Sequence, residues 1–108
     1  MGLDVVLVRV AQRGTSPRRR RLSPLAAVAD DGDVLARAFP ASRRPMLSRA
    51  DPYRDLVLSR PEMEQFIEEA GSLIPGADEV SADLLRRVLV LARRCRDEPG
   101  TEIHLQGD

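Results

Sequence analysis

This chain of 108 residues contains no lysine and no tryptophan, a single cysteine, a single histidine and three aromatic side chains. Each scarcity closes a route. With one thiol, Cys95, no internal disulfide can form, which suits a reducing compartment and argues against a secreted disulfide scaffold. One histidine, His104, without a cysteine pair cannot complete the three or four ligands of a zinc site. Apolar runs stop well short of the ~18 residues that a membrane helix needs. The opening LDVVLVRV carries Asp4 and Arg9 within it and has neither a preceding basic region nor a small-residue cleavage site, so no export signal is read there. A cytoplasmic protein without a membrane segment is expected. Also missing are G-x-G-x-x-G, G-x-x-x-x-G-K-[ST] and G-x-S-x-G, the common short signatures of nucleotide binding and acyl transfer. We therefore expect no cofactor, no metal, no catalytic residue and no small-molecule substrate, and nothing nominates an enzyme.

What is present is ordinary for a globular chain: 43% hydrophobic and 31% charged residues, enough for one domain around one core. All seventeen basic residues are arginine, a choice that GC-rich codons explain, although codon bias does not explain their placement. Residues 1–60 hold twelve Arg against six Asp, a net of +6, and residues 61–108 hold five Arg against eleven Asp and Glu, a net of −6. The first meaning of such asymmetry is two halves of one domain that attract each other; the second is a basic surface for an anionic partner.

Residues 3–10 are almost continuous Val and Leu, which predicts a strand covered on both faces at the centre of its sheet. Gly, Thr, Ser, Pro and Arg then dominate residues 11–24, read as an exposed connector. Asp30 or Asp31 in DDGD caps a short helix over 32–39 bearing Val34, Leu35, Ala38 and Phe39, closed by Pro40; the calcium-loop spacing that DDGD resembles is incomplete. A short strand is expected over 54–58. Ser59 and Glu62 form an S-x-x-E capping box for a helix over 60–74, with Met63, Phe66, Ile67 and Ala70 on its apolar face. A second main helix over 82–97, capped by Ser81, carries Leu84, Leu85, Val88, Leu89, Leu91, Ala92 and Cys95. Asp83 with Arg87, Arg93 with Asp97 and Arg94 with Glu98 are its i,i+4 pairs of opposite sign. Thr101, Ile103 and Leu105 alternate with Glu102, His104 and Gln106 in a last strand over 101–106, which pairs beside the first. The expected fold is α+β: a two-layer sandwich with a three-stranded sheet under two main helices and one short one.

Chemistry is sparse along this frame. His104 shares a strand face with Glu102 and Gln106 and is expected as a surface histidine, while Cys95 falls on a core-facing helix position where a thiol is inert. The four arginines Arg18, Arg19, Arg20 and Arg21, with Arg43 and Arg44 second, are the candidate contact for a partner or an anion. Zero net charge and few aromatics weaken a nucleic-acid reading, which stands as the alternative to protein binding. Met46 and Val90 lie outside the main apolar periodicity and read as core or isolated surface positions first, interface positions second. In size and predicted build the chain resembles bacterial immunity proteins, antitoxins and accessory subunits, which work by covering a partner's surface; no motif carries that likeness. The expected function is thus that of a small non-catalytic interaction or accessory protein, with a protein partner or self-association.

Overall fold

β-Branched residues dominate the first strand because a pleated surface accommodates them well. This strand, β1 (Asp4–Gln12), occupies an interior position in a four-stranded sheet that also contains β2 (Arg20–Val28), β3 (Leu56–Leu58) and β4 (Thr101–Gln106). The structure is a computed structural model and describes residues 2–12 and 20–107, with only the backbone of Gln12. Strand order is β2-β1-β4-β3 and every neighbouring pair is antiparallel. The class is α+β, as the sequence predicts, and the last strand does lie beside the first. The sheet, however, has four strands rather than three. β2 falls largely within the stretch expected to be a connector. Its sequence RRLSPLAAV hides the strand because an edge position tolerates proline and exposed polar residues, and a register shift between Leu7 and Val8 absorbs the irregularity beside Pro24.

Three helices follow: α1 (Val34–Ala41), α2 (Met63–Ser72) and α3 (Glu79–Asp97). They pack on one face of the sheet. Leu3, Val5 and Leu7 join Val28, Leu58, Ile103 and Leu105 beneath Leu35 and Phe39 of α1, Met63 and Phe66 of α2, and Leu85, Val88 and Cys95 of α3. Phe39 and Phe66 meet edge to face with ring centres 6.1 Å apart. Met46 is buried in this same core. No helix among the described residues is long and apolar enough to cross a membrane.

Local signals explain most helix ends. The Glu62 carboxylate reaches back to accept the Ser59 backbone N–H at 2.9 Å, as the capping box predicts. Two ends differ from expectation. Asp78, not Ser81, caps α3, accepting the Ser81 N–H at 2.7 Å. Pro40 lies inside α1 instead of closing it, a position near the C-terminus where only one helical hydrogen bond is forfeited.

Two buried carboxylates fix the loops. Asp30 accepts from Leu35 N through Oδ1 at 2.8 Å, and from Leu3 N and Ala36 N through Oδ2, both at 2.9 Å. One side chain thereby joins the start of β1 to the start of α1. Glu69 on α2 accepts from Met46 N at 2.9 Å, Leu47 N at 3.0 Å and Gln65 Nε2 at 2.7 Å, holding the turn after α1. Burial pushes the Glu69 carboxyl up, but the hydrogen bonds from Gln65, Leu47 and Met46 outweigh it and hold the group below the ordinary value of 4.5.

Replacing Asp30 by Ala strands three amide donors, so Asp30→Ala is expected to lower stability by about 3 kcal/mol and Asp30→Asn, which keeps one acceptor, by roughly half of that. Denaturant melts check this; equal, small losses would contradict it. A depressed Glu69 pKa means its contribution is complete above pH 4.5 and disappears as pH falls below that value. Glu69→Gln should therefore flatten the fall of Tm with acidification, and parallel Tm curves for the two chains would refute the assignment.

Candidate functional site: the helix-free face of the sheet

Successive residues of a strand point to opposite faces, so the register sorts the sheet into a covered and an uncovered side. Val6, Val8 and Val10 of β1 face away from the helices. Val6 lies between Ala27 of β2 and His104 of β4, and Val8 between Pro24 and Glu102. Both valines are nonetheless buried, at 8% and 3% exposure, without belonging to the helix-side core. At the rim of the same face, Leu22 pairs with Val10 and Val57 pairs with His104, and these two side chains are 50% and 45% exposed. Val5 to Val8 are thus buried on both faces, as expected of an interior strand, although among the described residues helices roof one face only.

A polar group crosses this apolar surface. Glu102 Oε1 accepts from Arg20 Nη2 at 2.6 Å and lies 2.8 Å from His104 Nε2. Because β1 separates β2 from β4, the Arg20 side chain spans β1 to reach Glu102. His104 and Glu102 are 12% and 14% exposed at their side chains, so His104 is not the surface histidine that alternation alone suggests.

The expected arginine site is dispersed. Arg18 and Arg19 lie outside the described residues. Arg20 is engaged with Glu102, and Arg21 stands exposed on β2 opposite Ala11. Arg43, at a positive φ of 60°, and Arg44, whose N–H donates to Ser42 Oγ, are exposed in the turn after α1. Among the described residues no hydrogen bond or ion pair links the two groups. Instead, Arg9 with Glu98 at 3.0 Å, Arg20 with Glu102 and Arg49 with Glu62 at 3.1 Å each join the basic half of the chain to the acidic half. Mutual attraction of the halves accounts for these pairs; each is partly exposed and contributes at most about 1 kcal/mol.

Neither the 360 Å³ cleft lined by Arg60, Pro61, Glu64 and Arg96 nor the 340 Å³ groove beside Val34, Leu73 and Leu85 includes His104. No metal-binding cluster occurs among the described residues. The chain matches no family model, no curated protein and no solved structure. Leu22 and Val57, the rim of the open face, escaped sequence reasoning because β2 was not recognisable as a strand and Val57 lies in a three-residue edge strand. The unbroken valines of β1 were the available signal.

Cys95 is fully buried, and burial pushes its thiol above the ordinary value of 9.0 despite the Thr101 hydroxyl beside it. It should react with Ellman's reagent only as fast as the protein unfolds; rapid stoichiometric labelling of the folded chain would show the site to be open.

Proposed function

We propose that this chain is a non-catalytic interaction or accessory protein that binds a protein partner through the helix-free face of its sheet. The observation that carries the reading is the set Val6, Val8, Val10, Leu22 and Val57, an apolar surface with no helix above it. Half-exposed rim residues around a buried centre give a docking face the apolar core and wetter border that protein interfaces use. The Arg20, Glu102 and His104 group supplies polar contacts within that face. Polyanion binding through Arg18, Arg19, Arg20 and Arg21 fits less well: the Arg20 guanidinium is already neutralised by Glu102, and the face has no aromatic platform for bases.

Leu22→Asp combined with Val57→Lys changes two exposed positions and should leave the thermal melt within about 5 °C of the parent, as surface substitutions usually do. Tagged parent and variant chains are compared in low-salt co-purification from the source cells, with light scattering for self-association. The expected result is a defined partner, or a dimer, seen with the parent and lost with the double variant. Retention of nucleic acid that depends on Arg20 and Arg21 but not on Leu22 would favour the polyanion reading, and a partnerless monomer would end the proposal.

A further inference from the structure

α3 buries one side and turns the other to solvent. At the middle of its outer side Val90 is 61% exposed. Helical neighbours lie three and four positions away, with Cβ atoms about 5–6 Å apart. For Val90 these four neighbours are Arg86, Arg87, Arg93 and Arg94, all exposed. Their stems do not fold over the valine, since it retains well over half of its surface. Acids border the ring at the Arg87 corner, where Asp31, Glu79 and Asp83 line the same groove, but the i,i+4 pairs that the spacing offers at Arg87 and Arg93 do not form among the described residues. Asp97 is bound by Arg96 at 2.9 Å rather than by Arg93, and Asp83 forms no ion pair with Arg87 among the described residues. Only Arg94 finds a carboxylate, Glu98, at 3.6 Å. Arg86, Arg87 and Arg93 have no side-chain partner among the described residues.

An exposed apolar residue alone is unremarkable, as is one surface arginine. Four guanidinium groups around one valine are a different object: an apolar point flanked by positive charge, three of whose four cations form no ion pair among the described residues. We propose that the outer face of α3 is a docking surface for an acidic amphipathic helix of a protein partner, whose apolar residue seats on Val90 while carboxylates one turn on either side meet Arg86, Arg87 and Arg93. The i,i+3 and i,i+4 spacing of such carboxylates repeats that of the arginines. Arginine forks carboxylates bidentately, which adds geometric selection to charge. A phosphate backbone satisfies the cations but has no use for the central valine, and zero net charge denies nucleic acid the general attraction it normally exploits. Because α3 lies in the helix layer, this surface is on the opposite side from the open sheet face, and the two are independent.

The test measures fluorescence anisotropy of a labelled Glu/Leu amphipathic helical peptide against the full chain, with a labelled DNA duplex in parallel. Saturable peptide binding is expected, weakened at least about tenfold by Arg86→Ser with Arg93→Ser. Val90→Ser should weaken it several-fold, added salt should lower it steeply as screening predicts, and Leu22→Asp should leave it unchanged. Circular dichroism melts establish that each variant is folded. No saturable binding by the parent overturns the proposal, as does loss of binding in Leu22→Asp. Tighter binding to the duplex, indifferent to Val90→Ser, overturns it in favour of nucleic acid. Failure here leaves the sheet-face reading standing, because Leu22 and Val57 lie outside this ring.

Discussion

The first strand is apolar on both faces, and three helices cover only one of them. This one-sided roof governs the rest of the molecule. Val5 and Leu7 enter the helix-side core, while Val6 and Val8, one residue out of phase, are shielded on a face where no helix lies. Their own strand neighbours, the Pro24 and Ala27 positions of β2 and the Glu102 and His104 positions of β4, flank them. A sheet that fully exposed such valines would invite association; here the Arg20 side chain crosses β1 to pair with Glu102, and Leu22 and Val57 are the exposed large apolar residues of this face among the described residues. The polar group is therefore the reason the face is only partly apolar, and the remaining apolar rim is what a partner can still reach.

Buried carboxylates play the complementary part on the helix side. Asp30 and Glu69 each accept from backbone amides, Glu69 from the Gln65 side chain as well, and neither forms an ion pair among the described residues. This arrangement satisfies the charge without a salt bridge and converts it into chain geometry, because an amide donor belongs to a specific residue in a specific turn. Asp30 sets where α1 begins relative to β1; Glu69 sets how the chain returns from α1 toward α2. Gly32, at a φ of 74°, supplies the left-handed step that lets the chain turn between Asp30 and α1.

Legibility followed the strength of periodic signals. α2 and α3 were visible from apolar residues three and four apart, β1 from its valines, and β4 from strict alternation at Thr101, Ile103 and Leu105. β2 was not, since Pro24, Ser23 and two arginines describe an edge strand only once its partner is known. Asp30 was recognisable as a helix cap, but its third bond, to Leu3 N, spans 27 residues and has no local signature. The candidate site was the least legible feature. Which face of β1 the helices cover depends on the path of the whole chain, and Glu102, the neighbour of His104, acquires its Arg20 partner from β2, some 80 residues away in sequence. The tetra-arginine tract drew attention by its run, whereas the ring around Val90 is interrupted in sequence and becomes a cluster only on a helix.

The charge layout leads to the same conclusion from another direction. The first half of the chain is basic and the second acidic, and the pairs Arg9 with Glu98, Arg20 with Glu102 and Arg49 with Glu62 offset three charges of each half against one another. Among the groups left without an ion pair within the described residues is a cationic cluster on α3, inside the half of the chain whose net charge is −6. Averages over a sequence segment cannot report this, because a helix sends its acids and bases to different sides. Screening limits exposed charges to about 8–10 Å at ordinary ionic strength, so a partner senses the local ring, whose members stand about 5–6 Å from Val90, and not the balanced total. For a neutral protein, the arrangement of its uncompensated groups, rather than its net charge, decides which surface attracts first.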